Sequence, residues 1–230
     1  MNNHQFTNVP ETLINLRKLR RLSLDQNQLT SLPPAFVNLR SLELLSLSSN
    51  QFTEAPAWLA ELPTLYDISF RDNHLTEFLL SLPKLSGLVL TNNQLTGVPE
   101  TVREMTKLHY LWLAGNPLKS VPEWLGELKN LQILELDRTE LSEVPASIGG
   151  CAFLNTLFLS NNHLTTLPDT YGNLTSLKSL ILNSNQLTTL PASFAKLADT
   201  LKTLYLNDNP ISPEEQARIR AMLPNTSITF

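Results

Sequence analysis

Leucines set the rhythm of this chain. One clean stretch reads Leu19-x-x-Leu22-x-Leu24-x-x-Asn27-x-Leu29-x-x-Leu32-Pro33. The same order returns in copies that begin at Leu19, Leu42, Leu65, Leu85, Leu108, Leu131, Leu154, Leu177 and Leu201. Most copies have 23 residues; the Leu65 copy has 20 and the Leu177 copy 24. Within each copy, x-x-L-x-L alternates with period two. This predicts a short strand that buries Leu22 and Leu24 and aims Arg21 and Ser23 outward. Self-similarity at roughly 20–29 residues with this signature predicts an α/β solenoid, one strand per copy. Its parallel strands lie about 4.8 Å apart, and nine of them line a concave face somewhat under about 40 Å long.

Beyond each strand stands an asparagine: Asn27, Asn50, Asn73, Asn93, Asn116, Asn162, Asn185 and Asn209. The chain turns inward there, and an amide side chain both donates to and accepts from the buried backbone. Thr139 interrupts the series, and its hydroxyl serves fewer partners, which predicts a local weak point. The return segments read P-x-x-L-x-x-L, as in Pro122, Leu125 and Leu128. Proline followed by spacing of three suits a short 3₁₀ turn on the convex side. Cys151 takes the slot of Leu128 and Leu174, so it reads as a packed core thiol. The 20-residue copy loses its Leu-Pro pair, reading Glu77-Phe78-Leu79-Leu80, so its convex side is expected to differ.

The ends break the pattern. Residues 1–18 carry only the second half of a copy, through Phe6, Val9, Pro10, Leu13 and Leu16. Either a longer protein continues before them, or the first strand edge is open or taken by a partner. After Asn209, Ser212 is a good N-cap, Pro213 fits the first helical position and Glu215 completes a capping box. A capping helix from Pro213 to about Leu223 follows, with Ala217, Ile219, Met222 and Leu223 over the last leucine layer. Ile228–Phe230 are expected to add a short strand. The whole chain, 1–230, therefore reads as one domain: a partial copy over 1–18, nine copies, and a cap over about 210–230.

Composition narrows the function. The 230 residues are 42% hydrophobic and 17% charged, with a net charge of -4. That gives no support for a nucleic-acid surface. The basic run Arg17, Lys18, Arg20 and Arg21 reads as a solvated face, with a charged contact as the alternative. A single cysteine precludes an intrachain disulfide and favours a reducing compartment. The polar start Met1-Asn2-Asn3-His4-Gln5 lacks a signal-peptide layout, and no apolar run spans a membrane. A cytoplasmic location is favoured, with delivery into a host cell as the alternative. His74 and His163 share a repeat position four copies apart, about 19 Å, so they do not share a metal. No catalytic, metal-ligand or phosphate-loop motif appears, and the chain reads as a non-enzyme that requires no cofactor.

The outward strand positions carry the candidate site. The central ones are Ser23, Ser46, Ser69, Val89, Trp112, Glu135, Phe158, Ile181 and Tyr205. The row two residues earlier includes Asp67, Gly87, Tyr110 and Ile133. Leucine packing does not explain Tyr110, Trp112, Phe158 and Tyr205. Aromatic anchors with charge nearby suit the centre of an interface. Glu135 stands between Trp112 and Phe158, within reach of a basic partner residue, with Asp137 and Arg138 flanking the same strand. The candidate binding residues are Val89, Tyr110, Trp112, Ile133, Glu135, Asp137, Arg138, Phe158, Ile181 and Tyr205. The alternative is that the aromatics only shield neighbouring strands.

The run Leu111-Trp112-Leu113-Ala114-Gly115-Asn116-Pro117-Leu118-Lys119-Ser120-Val121-Pro122 resembles the leucine-rich repeat family. The return segments and the ending Asn209-Pro210-Ile211 through Phe230 resemble those of bacterial members. The return segments also resemble those of intracellular plant proteins. The resemblance implies a horseshoe with a parallel sheet on its concave face, short 3₁₀ turns on its convex side and a C-terminal capping helix. It also implies a non-catalytic module that binds a protein or peptide on that face, as a monomer. Association through the uncapped N-terminal edge is the alternative assembly. Two other roles remain open: the recognition domain of a larger bacterial effector or ligase, and a surface receptor for a ligand or carbohydrate.

Overall fold

The computed structural model describes residues 5–230, apart from the side chain of Glu11. Residues 1–4, and with them the polar start and His4, lie outside the described part. Ten three-residue strands form one sheet in strict chain order, every pair parallel. They are β1 Arg21–Ser23, β2 Leu44–Ser46, β3 Asp67–Ser69, β4 Gly87–Val89 and β5 Tyr110–Trp112. Then come β6 Ile133–Glu135, β7 Thr156–Phe158, β8 Ser179–Ile181, β9 Thr203–Tyr205 and β10 Ser227–Thr229. The leucines between outward positions are shut away, from Leu45 at 1% exposure to Leu204 at 0%. One continuous leucine core runs the length of the sheet. The expected extra strand forms, one residue earlier than the sequence suggested.

Convex segments form 3₁₀ turns after proline, as at Pro34–Asn38 and Glu123–Glu127. The 20-residue copy has no such turn between β3 and β4, and its Leu79 is left 69% exposed. The 24-residue copy absorbs its extra residue in a longer turn, Ala192–Leu197. Cys151 is fully buried, and burial pushes its thiol pKa up, as expected of a packed core thiol. No helix among the described residues is long and apolar enough to cross a membrane.

The two ends differ in finish. The capping helix α1, Pro213–Met222, begins at Ser212, whose hydroxyl accepts from Glu215 N–H. Ile219 and Leu223 are buried against the core, whereas Ala217 faces solvent. The expected reciprocal arm of the capping box does not form. The Glu215 carboxylate accepts instead from Thr189 Oγ1 at 2.7 Å, Leu190 N–H at 3.3 Å and Arg218. It ties the cap to the preceding copy, and the Arg218 bond leads the shift of its pKa down to about 2. At the other end Phe6 meets the first rung, its N–H donating to Asn27 Oδ1 and its carbonyl accepting from Gln28. Leu16, the last leucine of the partial copy, is 48% exposed. Within the basic run, Arg20 pairs with Glu43 at 2.7 Å.

The asparagine ladder joins successive copies, except where Thr139 takes the place of a rung. Asn116 is typical: Nδ2 donates to Leu113 O at 2.8 Å and across the repeat to Leu90 O at 2.9 Å, while Oδ1 accepts Leu95 N–H at 3.0 Å. The residue before each rung is left-handed, from Gln26 at φ 56° to Asp208 at φ 57°. Side chains other than glycine rarely adopt that conformation.

Thr139 is not the weak point that the sequence suggested. A rung asparagine accepts an N–H from the residue two past the preceding rung, as Asn116 does from Leu95. The corresponding donor for position 139 is Leu118, and it is already taken, because Leu118 N–H donates to its own Asn116 O at 2.8 Å. Pro117 stands between them. The same short closure follows the other Asn-Pro pair, where Ile211 N–H donates to Asn209 O. With that donor consumed, an amide oxygen at 139 would have no partner. A hydroxyl suffices, and Thr139 Oγ1 lies 2.7 Å from Leu136 O. Lys119 and Glu140 take left-handed φ values of 63° and 61° to complete the detour.

Two stability measurements check this account. Asn116→Ala is expected to cost about 1–3 kcal/mol in urea unfolding, because buried backbone groups lose their partner. Thr139→Asn alone is expected to give no gain. Combined with Pro117→Gln it should do better than the sum of the single changes by about 1 kcal/mol. Stabilisation by Thr139→Asn alone would refute the pairing with Pro117.

Candidate binding face

Parallel register sets Val89, Trp112, Glu135, Phe158, Ile181 and Tyr205 side by side across β4–β9. Tyr110 and Ile133 are neighbours in the adjoining row. The candidate residues thus form one patch about 24 Å wide, five strand spacings. Their exposure is uneven. Tyr205 is 39% exposed; Tyr110, Trp112, Ile133, Glu135, Phe158 and Ile181 are half-buried. Val89 is only 7% exposed, so it is part of the floor rather than a contact residue. All three residues of β4 are buried, because the larger side chains of β5 lie beside them in register.

Gly87 explains how that happens. The Tyr110 ring lies across the space that a Cβ at position 87 would take. The hydroxyl then passes over β4 and donates to Asp67 on β3. Tyr110 and Trp112 pack at a centroid distance of 5.5 Å, tilted by 44°. A second bridge crosses the next strand. Thr91 Oγ1 donates to Glu135 Oε2 at 3.2 Å, two strands away from β4, across the copy that carries the small, fully buried Ala114. Alongside, Arg138 reaches Asn92 Oδ1 at 3.4 Å. Asn92 itself occupies the space above left-handed Gly115, where any larger residue would collide with it.

The sequence reading therefore missed Asp67, Thr91 and Ser160 as parts of the face. The signal was present as small outward residues, Gly87 and Ala114, in register with large ones. Asp137 lies in the outward row beyond β6 and accepts Ser160 N–H at 2.6 Å. Ser160 is 5% exposed, and its Oγ has no hydrogen-bond partner. Trp112 Nε1 is likewise buried and unpaired. Burial pushes the Asp67 carboxyl up to about 6. Asp137 rises to about 6 for the same reason, with Glu135 assisting and the Ser160 N–H and the Arg138 charge opposing. Among the described residues no group of three histidine, cysteine or acidic side chains is arranged to hold a metal.

These two carboxyls give the face a pH signature. Their folded values, about 6, lie above the ordinary 3.8, so the folded state binds their protons more tightly. Their contribution to stability is therefore greatest at low pH and is lost as pH rises through about 6. Glu215 acts in the opposite sense and in a lower window, between 4.5 and about 2. Urea midpoints measured from about pH 4 to about pH 7 should fall less steeply in an Asp67→Asn, Asp137→Asn variant than in the unaltered chain. Parallel curves would show that the two groups titrate normally.

Comparison with known proteins agrees with this architecture. A family profile described as "Leucine-rich repeat region" matches residues 90–204, and one described as "Leucine rich repeat" matches residues 1–52 and 17–75. No curated protein sequence matches the chain. Among solved structures, an internalin of Listeria monocytogenes aligns over 97% of the chain with a TM-score of 0.82 and 21% identity. The functional domain of InlJ from the same organism aligns over 99%, with a TM-score of 0.80 and 21% identity. A structure described as a TDR receptor aligns over 96%, with a TM-score of 0.77 and 26% identity. The chain spans 66%, 47% and 40% of these three chains respectively. At such identities the likeness is one of fold, a horseshoe with a parallel sheet and helical turns. Matched by its family profile over half its length, the chain belongs to the leucine-rich repeat family.

Proposed function

We propose that this chain is a non-catalytic interaction module that binds a protein or peptide on its concave face, centred on β5–β9. The observation that carries this reading is the unbroken row Trp112, Glu135, Phe158, Ile181 and Tyr205. These are large, accessible side chains on strands whose leucines already fill the core. Rigid aromatic anchors supply contact area at low entropic cost. Tyr110, Ile133, Asp137 and Arg138 belong to the same patch. Val89, nearly buried, lies in register beside Trp112. Shielding accounts for Tyr110, which covers Gly87, whereas Tyr205, 39% exposed, is the most open aromatic of the row.

A second reading is a recognition domain within a larger protein, such as an effector or ligase. It is favoured by the share of the matched structures that the chain spans, 66%, 47% and 40%. The likeness to a receptor structure, at 26% identity, supports a surface-receptor role as well.

Peptides selected against the full chain from a random linear library provide the test. Trp112→Ala and Phe158→Ala are each expected to weaken binding by more than about 1 kcal/mol in calorimetry, with the fold retained by circular dichroism. Unchanged affinity in both variants would overturn the concave-face reading. Loss of folding in Trp112→Ala would mark that ring as a shield and leave Phe158 to decide.

A further inference from the structure

Three half-buried carboxylates stand on the concave face outside any ion pair. Asp67, Glu135 and Asp137 take part in none of the ion pairs among the described residues. Neutral donors hold each of them: the Tyr110 hydroxyl, the Thr91 hydroxyl and the Ser160 N–H. Such donors fix a carboxylate in place without cancelling its charge. Arg138, next to Asp137 in sequence, directs its guanidinium toward Asn92. Arg71 pairs with Asp72.

Two polar groups in the same place lack partners. Ser160 lies beside Asp137 on the outward row, 5% exposed, and its Oγ makes no hydrogen bond. Trp112 Nε1, one strand from Glu135, also makes none. Buried unpaired groups are uncommon, and each calls for an explanation. Both atoms are enclosed in the free chain, so what a partner meets first is the half-buried Trp112 ring and the Glu135 and Asp137 carboxylates.

Resting on the interaction-module reading above, we propose that the face over β5–β7 recognises an extended peptide through a basic side chain, arginine above all, seated between Glu135 and Asp137 against Trp112. Arginine fits better than lysine. Its planar fork spans two carboxylate oxygens and stacks on an indole, whereas an ammonium is a compact, strongly hydrated charge. Phe158 and Ile181, next in the row, receive the flanking apolar residues of the peptide. The raised pKa of Asp137, which the Arg138 charge opposes without cancelling, fits a carboxyl short of cationic partners, and binding should release protons near pH 6.

The experiment uses the full chain and peptides selected against it from a random linear library, resynthesised with arginine or its neutral isostere citrulline. The selected peptides should be rich in arginine. Citrulline should weaken binding at least tenfold, and so should a Glu135→Gln, Asp137→Asn variant that melts as the parent does. Peptides that depend on Trp112 or Phe158 but are indifferent to citrulline would overturn this inference and leave the interaction reading standing. Peptides that depend on none of these residues would overturn both. If the double variant fails to fold, the citrulline comparison on the unaltered chain still decides.

Discussion

Each copy of this repeat turns its backbone inward at a point where peptide groups are cut off from water, and in all but the Thr139 copy one side-chain amide satisfies them. The arithmetic of that amide links the copies. One Asn116 hydrogen goes to the local carbonyl of Leu113, the other to Leu90 of the preceding copy, and the oxygen takes an N–H from Leu95. A buried backbone group without such a partner costs about 1–3 kcal/mol, so few other residues serve. The left-handed residue before each rung is a consequence. Ser49, Asp72 and Arg138 all accept an unfavourable φ because the rung that follows fixes the path. With the turns fixed, strands stack in register and the leucines between them face a common core.

The ladder also frees the outward rows. Nothing in the core depends on what stands at positions such as 87, 112 or 135, so neighbouring copies can trade size across the sheet. Gly87 makes room for Tyr110, and Tyr110 in turn reaches Asp67, two strands from its own. Glu135 crosses the small Ala114 to meet Thr91. Each bridge spans three copies, so the face is stiffened by contacts that skip a neighbour. A preorganised surface of this kind loses less entropy when a partner orders against it.

Most of the scaffold was legible in the sequence because its causes are local and repeated. Period-two leucines gave the strands, proline before a spacing of three gave the 3₁₀ turns, and Ser212-Pro213 gave the start of α1. What escaped depends on contacts between copies. Nothing local says that Glu215 prefers Leu190 N–H and Thr189 to the start of its own helix. Nothing in the Thr139 copy says that its missing amide answers a proline 22 residues earlier. Val89 read as exposed from alternation, since alternation cannot weigh the ring beside it. The outward rows were identified correctly; the side chains that cross between strands were not, because a linear reading assigns each side chain to its own strand.

These departures from the repeat fall together. Gly87, Ala114, Gly115, Pro117 and Thr139 all lie in the three copies that begin at Leu85, Leu108 and Leu131. Four of them are costly or neutral for a solenoid considered one copy at a time: a glycine in a strand, a lost N–H, a lost amide, a further glycine at a turn. Each is compensated by a residue in an adjacent copy, Tyr110 for Gly87, Asn92 for Gly115, Thr139 for Pro117. They lie in the copies that carry Trp112 and Glu135 and in the one before them. Uniform copies would build the horseshoe equally well. The irregular ones give this horseshoe a particular surface, and that is where a search for its partner's chemistry should begin.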